Sequence, residues 1–403
     1  MIEAVRALRP RTLEFGIYRD GDNNLDDTQE STITQAIATS KTDRSIEFTV
    51  EDTHSPFNDD GTVRSTISDG TVKYDPYADD VDNMASPKNL ANFVARTLDN
   101  AERSGAKQTW IELVDHGAGD GGGLEADSFR QIMPMPQIAQ AIADGIKMHA
   151  QEHPEDAGRT VDGVVANQCL MSSLGFADAL SHAGVKYLAA SPETMISPGV
   201  PTKVAQAIAA HTGDATAMAH GVVSDVMDSK YGTPSGSFGP AAAFDVLDTS
   251  RAAIAPVETS VKALNDAIAK AGNDAASVNA LREDGENVEG MVRFPEATPD
   301  MPWHADRPAI ALYGTIANDT RLDASIRNAA ADAQKAVANI VIAHKESDSF
   351  APFGGSSFAD AVGPTVHFPV NAKQIDPWAP HVSETKNRFF NETDAAAAER
   401  VVA

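Results

Sequence analysis

From Thr12 to Leu247 the chain alternates short apolar or β-branched runs with helical segments. That alternation restricts it to few architectures. A strand followed by a helix that returns to the same edge builds a mostly parallel sheet with helices on both faces. Thr12–Tyr18 and Ser45–Val50 read as strands, and Thr62–Tyr74 as a hairpin around Ser68-Asp69-Gly70. The turn Arg19–Asp27 is expected to cap a helix of about fifteen residues. Pro87–Arg103 reads as a helix capped by Ser86, with Pro87 in its first turn. Further helices are expected over Met135–Ala150 and Ser172–His182, and strands over Val185–Ala190 and Ala241–Leu247. After Thr249 the pattern changes to Ala-rich helices, about 249–271 and 320–345, around a loop at Pro295–Pro302, with a late strand over Pro364–Pro369. The expected fold is α/β. Residues 1–247 form the sheet domain, and 248–403 form a helix-rich C-terminal extension packed on it.

Two further apolar runs each end in a reactive side chain. Thr109–Val114 leads into Asp115-His116-Gly117, and Val161–Asn167 leads into Gln168-Cys169. In an open parallel sheet, ligands bind outside the C-terminal ends of the strands. A thiol and an imidazole delivered there make a nucleophile and its base. An isolated cysteine is more often a small buried hydrophobe. The pairing with a histidine at a second strand end shifts the reading toward chemistry. Asp115 and Asp162 suggest a third member, but a residue adjacent in a strand points to the opposite face, so Asp115 is not expected to orient His116.

Composition narrows the function. Lys and Arg total 32 against 58 Asp and Glu, a net charge of −26, which disfavours a nucleic-acid partner. A single cysteine forbids an intrachain disulfide and a multi-thiol metal site. A histidine-based metal site is not expected either. No apolar run is long enough to cross a membrane, so no membrane partner is expected. Residues 1–10 contain Arg6 and Arg9 without a continuous apolar stretch, so no signal peptide is read there and a cytoplasmic start is expected. Gly117–Gly123 lacks the following Lys-Ser/Thr of a phosphate loop and opens no helix. It reads as a flexible loop beside His116, in which the Gly117 N–H can serve an oxyanion hole. Asp20-x-Asp22-x-Asn24-x-Asp26 has the oxygen spacing of an EF-hand start, without the glycine and glutamate that complete one. It reads first as an acidic strand-to-helix turn. No cofactor is required, and Ca²⁺ is compatible with the loop.

At these residues the chain resembles the clostripain-like cysteine peptidases, relatives of caspases, legumains and gingipains. Tyr18-Arg19-Asp20-Gly21-Asp22-Asn23-Asn24-Leu25 is similar to that family's DGDNNL strand end. Asp115-His116-Gly117-Ala118-Gly119 is similar to its HGxG motif, with Asp127 as the acidic residue beyond the glycine loop, and Asn167-Gln168-Cys169-Leu170-Met171 to its DxCLM motif. Weaker similarity continues at Ser191-Pro192-Glu193-Thr194, at Ala243-Phe244-Asp245 and at Val366-His367-Phe368-Pro369, so it spans nearly the whole chain. The resemblance implies a caspase-like fold and a Cys-His dyad. Cys169 would be the nucleophile, His116 the general acid/base, and the N–H groups of Gly117 and Cys169 the oxyanion donors. It implies a protein or peptide substrate cut after Arg or Lys. It also implies self-processing between the His and Cys strands, at Arg130, Lys147 or Arg159. Relatives are often secreted, against the cytoplasmic start read from residues 1–10.

One departure stands out. Asn167 occupies the place of the family's aspartate, near the pocket for a basic residue. An amide forfeits the ion-pair part of guanidinium recognition. Substrate binding is therefore assigned to Asn167 together with another acid, Glu193. Two other readings compete: an inactive relative acting as a binding or scaffold protein, and a thiol transpeptidase using the same dyad.

Overall fold

The structure, a computed structural model, describes residues 11–54, 62–75, 83–195, 199–228, 243–271, 274–292, 302–347, 358–371 and 374. The N-terminal ten residues, the loop expected over Tyr231–Gly239 and most of the Pro295–Pro302 loop lie outside them.

In chain order the strands are β1 (Leu13–Asp20), β2 (Ile46–Thr53), β3 (Thr62–Ser68), β4 (Thr71–Tyr74), β5 (Gln108–Val114), β6 (Gly123–Ala126), β7 (Gln131–Met133), β8 (Gly163–Asn167), β9 (Tyr187–Ala190), β10 (Ala243–Asp248), β11 (Asp306–Pro308), β12 (Val341–Glu346) and β13 (Thr365–His367). The helices are α1 (Asp26–Gln29), α2 (Ser31–Thr42), α3 (Pro87–Ser104), α4 (Met135–Glu152), α5 (Leu174–His182), α6 (Val204–Ala210), α7 (Ala215–Met227), α8 (Arg251–Ala271), α9 (Ala275–Glu286), α10 (Ala309–Asn318) and α11 (Ala324–Ile340).

Nine strands form one sheet in the order β12-β10-β9-β8-β5-β1-β2-β3-β4. The five central strands, β2-β1-β5-β8-β9, are parallel. Side chains on β1 alternate between two cores. Leu13, Phe15 and Ile17 meet Ala36 of α2 and the apolar faces of α6 and α7, while Tyr18 packs with Phe93 of α3 on the other face. The chain first moves from β1 to β2, then returns across β1 to β5, β8 and β9. The order therefore reverses between β1 and β5, and the crevice at that switch point is where an open α/β sheet binds its ligand.

The hairpin was legible: β3 and β4 pair antiparallel, and Asp69 and Gly70 both take positive φ. Ser86 caps α3 by position, without a side-chain cap bond. Other expectations are corrected. The helix after the first turn is split into α1 and α2. The helix expected from Ser172 begins at Leu174, because Ser173 stands outside it and accepts from Phe176 N–H. Gly117–Gly123 is ordered by a short 3-10 turn at Gly119–Gly121 and a bridge from Gly117 to Gly123.

The largest correction concerns 320–345. The helix stops at Ile340, and Val341–Glu346 runs as a strand antiparallel to β10, which is itself antiparallel to β9. Successive β-branched residues at Val341 and Ile342 favour strand. The buried Asp245 carboxylate then fixes the pairing, taking His344 Nδ1 at 2.7 Å and Ser172 Oγ at 2.7 Å. The boundary expected at 247/248 is crossed by this pairing. Val257, Leu312 and Ile326 also share one core with Leu113 and Leu188.

Candidate active site

Three loops leave the C-terminal edge at the switch point: Gly21–Leu25 after β1, Asp115–Gly117 after β5 and Gln168–Cys169 after β8. Asp115 ties the first two together. Its buried carboxylate accepts from His116 N–H (2.5 Å), Asn23 Nδ2 (2.6 Å) and Glu125 N–H of β6. As expected, it does not orient the His116 ring. It holds the backbone that carries the ring. Burial pushes its pKa well up, nearby Asp20 adds to this, and the three donors oppose it. Asp20 is pushed up to about 8, chiefly by burial.

The His and Cys loops touch through their backbones. A Cβ on Gly117 would overlap the Cys169 carbonyl, so only glycine fits there. Gln168 Nε2 donates to the His116 carbonyl at 2.9 Å. Leu170 turns the chain back with φ +64°, and its N–H donates to the Glu193 carbonyl. Such a conformation at a non-glycine residue costs about 1–3 kcal/mol and tends to gather at functional sites.

The two reactive groups have separate partners. His116 Nε2 lies 2.7 Å from Asn24 Oδ1. Cys169 Sγ accepts from Met195 N–H at 3.2 Å. Burial raises the thiol pKa, Met195 N–H opposes the rise, and the Glu193 charge adds to it. The thiol is thus held as a neutral SH. Cys169 and Val292, both partly buried, pack against one small core of Leu170, Met291 and Phe358, so the C-terminal region shares a core with the cysteine loop.

Asn167 and Glu193 do not face solvent in this conformation. Asn167 donates to Glu112 Oε1 (2.9 Å) and accepts from Val200 N–H (2.8 Å), with Gly199 pressed on its amide at φ +81°. It anchors the 199–200 segment to the sheet. The Glu193 carboxylate accepts from Thr194 N–H (2.7 Å) and Val292 N–H (2.9 Å), tying its loop to the Met291–Val292 segment. Asp162 lies at the opposite edge, on Thr109 N–H and Lys186 Nζ. Asp127 N–H donates to the Asp22 carbonyl. The four side chains of the EF-hand-like run have separate partners in this conformation. Asp20 accepts from Asp22 N–H, Asp22 from Ser128, Asn24 meets His116, and Asp26 pairs with Arg19.

The Glu112–Asn167 pair carries a pH signature. Burial raises Glu112 to about 8, and Asn167 only partly offsets this. Between its ordinary value near 4.5 and about 8, the folded state holds a proton that the unfolded chain has lost. Stability therefore falls as pH rises through that window, by up to about 1.4 kcal/mol per pH unit for one group. Glu112→Gln mimics the protonated form. Urea denaturation from pH 5 to 8 should show a shallower decline than wild type, and equal slopes would refute the assignment.

Sequence reasoning missed Asn24, Met195 and the Met291–Val292 segment that shares a core with Cys169. Asn24 sat in a run read as caps or cation ligands, while Met195 and Val292 carry no local signal. It also overlooked a histidine pair of metal-ligand spacing, His149-x-x-x-His153, at the C-terminus of α4 and away from this site.

No protein-family model and no curated protein matches the chain. Solved structures do. The chain is similar to iotapain, a secreted C11 cysteine protease from Bacteroides thetaiotaomicron, at 13% identity, covering 96% of this chain and 100% of that chain with a TM-score of 0.63. It is similar to an inactive zymogen C11 protease from Parabacteroides distasonis at 13% identity, covering 98% and 99% with a TM-score of 0.63. A Bacteroides thetaiotaomicron C11 protease in complex with an irreversible peptide inhibitor matches at 14% identity, covering 96% and 98% with a TM-score of 0.62. The expected caspase-like α/β architecture is therefore present, and over nearly its whole length the chain has the fold of the C11, clostripain-family cysteine proteases.

Proposed function

We propose that the protein is a cysteine endopeptidase that cuts protein or peptide chains after Arg or Lys. The observation that carries this reading is the contact between the His116 and Cys169 loops at the switch point, with Gly117 lying on the Cys169 backbone. In the reaction, Cys169 Sγ attacks the scissile carbonyl as thiolate after His116 takes its proton. The N–H groups of Gly117 and Cys169 face the developing oxyanion. His116 then protonates the leaving amine and activates the water that releases the acyl group.

The present conformation reads as a resting state, since the thiol is bound to Met195 rather than to His116. The same observation favours the second reading, an inactive relative. Of the three basic residues between the two strands, Arg130 lies in an exposed turn, whereas Lys147 is inside α4 and Arg159 is paired with Asp156. We therefore assign self-processing to Arg130.

The test is digestion of a mixed peptide library, read by mass spectrometry, with the iodoacetamide-treated protein as control. Cuts after Arg and Lys made only by untreated protein are expected, with intact-mass fragments ending at Arg130. Cuts after other residues would refute the basic preference, and joined peptides would indicate transpeptidation. No cuts would leave the inactive reading.

A further inference from the structure

At the N-terminal edge of the parallel strands, opposite the candidate active site, α3 and α4 end side by side. Their last turns and the 153–156 segment bring together two histidines and four carboxylates. We propose that Asp99, His149 and His153 form a Zn²⁺ site with a fourth position open to water.

The ligand set suits zinc. Two imidazoles and one carboxylate, with water in the fourth place, is a common tetrahedral arrangement for this ion. His149 and His153 are four residues apart, so both rings reach the same face. They stack with centroids 4.9 Å apart. One ligand atom from each of the three residues lies within 4.8 Å of the others. In a tetrahedron with metal–ligand bonds of ~2.0 Å, neighbouring donors stand ~3.3 Å apart. His153 Nε2 and Asp99 Oδ1 are already 3.5 Å apart. His149 Nδ1 and Asp99 Oδ1, at 2.7 Å, need to open by only several tenths of an ångström.

The surrounding carboxylates are placed as outer partners. Glu102 Oε2 lies 2.8 Å from His153 Nδ1, which leaves Nε2 as the free lone pair toward Asp99. Asp156 Oδ2 lies 3.4 Å from His149 Nε2, while Nδ1 is hydrogen-bonded to Asp99 Oδ1 at 2.7 Å and would give up its place on that oxygen to the metal. Each histidine thus has a carboxylate on the nitrogen that would not bind metal, the usual device for fixing tautomer and ring orientation. His149 is fully buried, so its ring is preset, while the partly exposed Asp99 and His153 give the ion a path in.

A second His–carboxylate group, Asp178, His182 and Glu258, makes a useful contrast. There the Arg251 guanidinium already bonds to both Glu258 and His182, so a cation occupies the place an ion would take. No arginine bridges Asp99, His149 and His153 among the described contacts. Arg159 pairs with the outer Asp156 and donates to the Ala106 carbonyl.

The site would pin the C-terminal ends of α3 and α4 together, so zinc should stabilise the fold by mass action. The test uses the full chain carrying Cys169→Ala, so that the thiol cannot compete for metal. Zn²⁺ is titrated against a chromogenic chelator, and Co²⁺ substitution is followed by its visible absorption. We expect one ion per chain, a tetrahedral Co²⁺ spectrum, and a raised unfolding temperature with Zn²⁺. His153→Gln and Asp99→Asn should abolish all three. Glu102→Gln should weaken binding by about 10–100-fold, as loss of an outer partner does. His182→Gln should change nothing. Because His149 is buried and its replacement can disturb folding, the partly exposed Asp99 and His153 carry the test. No stoichiometric binding, or binding unaffected by His153→Gln, would overturn the proposal.

Discussion

Cys169→Ala is expected to remove peptide hydrolysis, a fall of about 10⁴–10⁶ in kcat, because a methyl group cannot form the acyl intermediate. His116→Ala should lower kcat by about 10²–10⁴, the usual contribution of a positioned acid/base. The two effects should not add, since the residues act in one step. Neither change should alter stability much. Cys169 is only partly buried, and the exposed amide of Asn24 can turn to water when His116 is removed. Steady-state rates on a peptide from the library, with a denaturant curve for each variant, provide the check. Wild-type rates in Cys169→Ala would end the cysteine-peptidase reading. Wild-type rates in His116→Ala alone would place the base elsewhere.

Asp115→Ala should produce the largest loss of stability. Its carboxylate takes three N–H groups from three segments, all at buried or half-buried positions. Each donor left unpaired in such a place costs about 1–3 kcal/mol, and whole domains are stable by only about 5–15 kcal/mol. A loss of several kcal/mol is expected in urea denaturation, with hydrolysis falling in parallel because the His116 backbone loses its anchor. Asp115→Asn should recover part of both, since its amide oxygen still accepts from His116 N–H and Asn23. An Asp115→Ala variant as stable as wild type would show that the β5, β6 and β1 loops do not depend on this carboxylate.

The sheet-edge positions of His116 and Cys169 were legible because their signals are local. An apolar run predicts a buried strand, and whatever follows it lies at the strand's C-terminal end. That logic placed His116 and Cys169 at one sheet edge without any knowledge of pairing. It failed at 341–346, where a helical composition runs straight into β-branched residues. There, strand formation depends on β10 and Asp245 being available to pair. Nor did it show that Asn167 and Glu193, read as substrate-binding groups, are buried in this conformation and bonded to backbone from distant segments.

The sequence by itself determined the alternation of strands and helices, the tight hairpin at Asp69-Gly70, the glycine-rich loop after His116, and the two strand ends that carry His116 and Cys169. These follow from residue size, branching and order along the chain. Only the tertiary structure decided what those side chains touch. The thiol sits on Met195, the imidazole sits on Asn24, and Val292, held by Glu193, packs against the same small core as the cysteine. Such contacts join residues up to about a hundred positions apart. They are selected by whole-fold packing and by the need to satisfy buried polar groups, and no local pattern encodes that requirement.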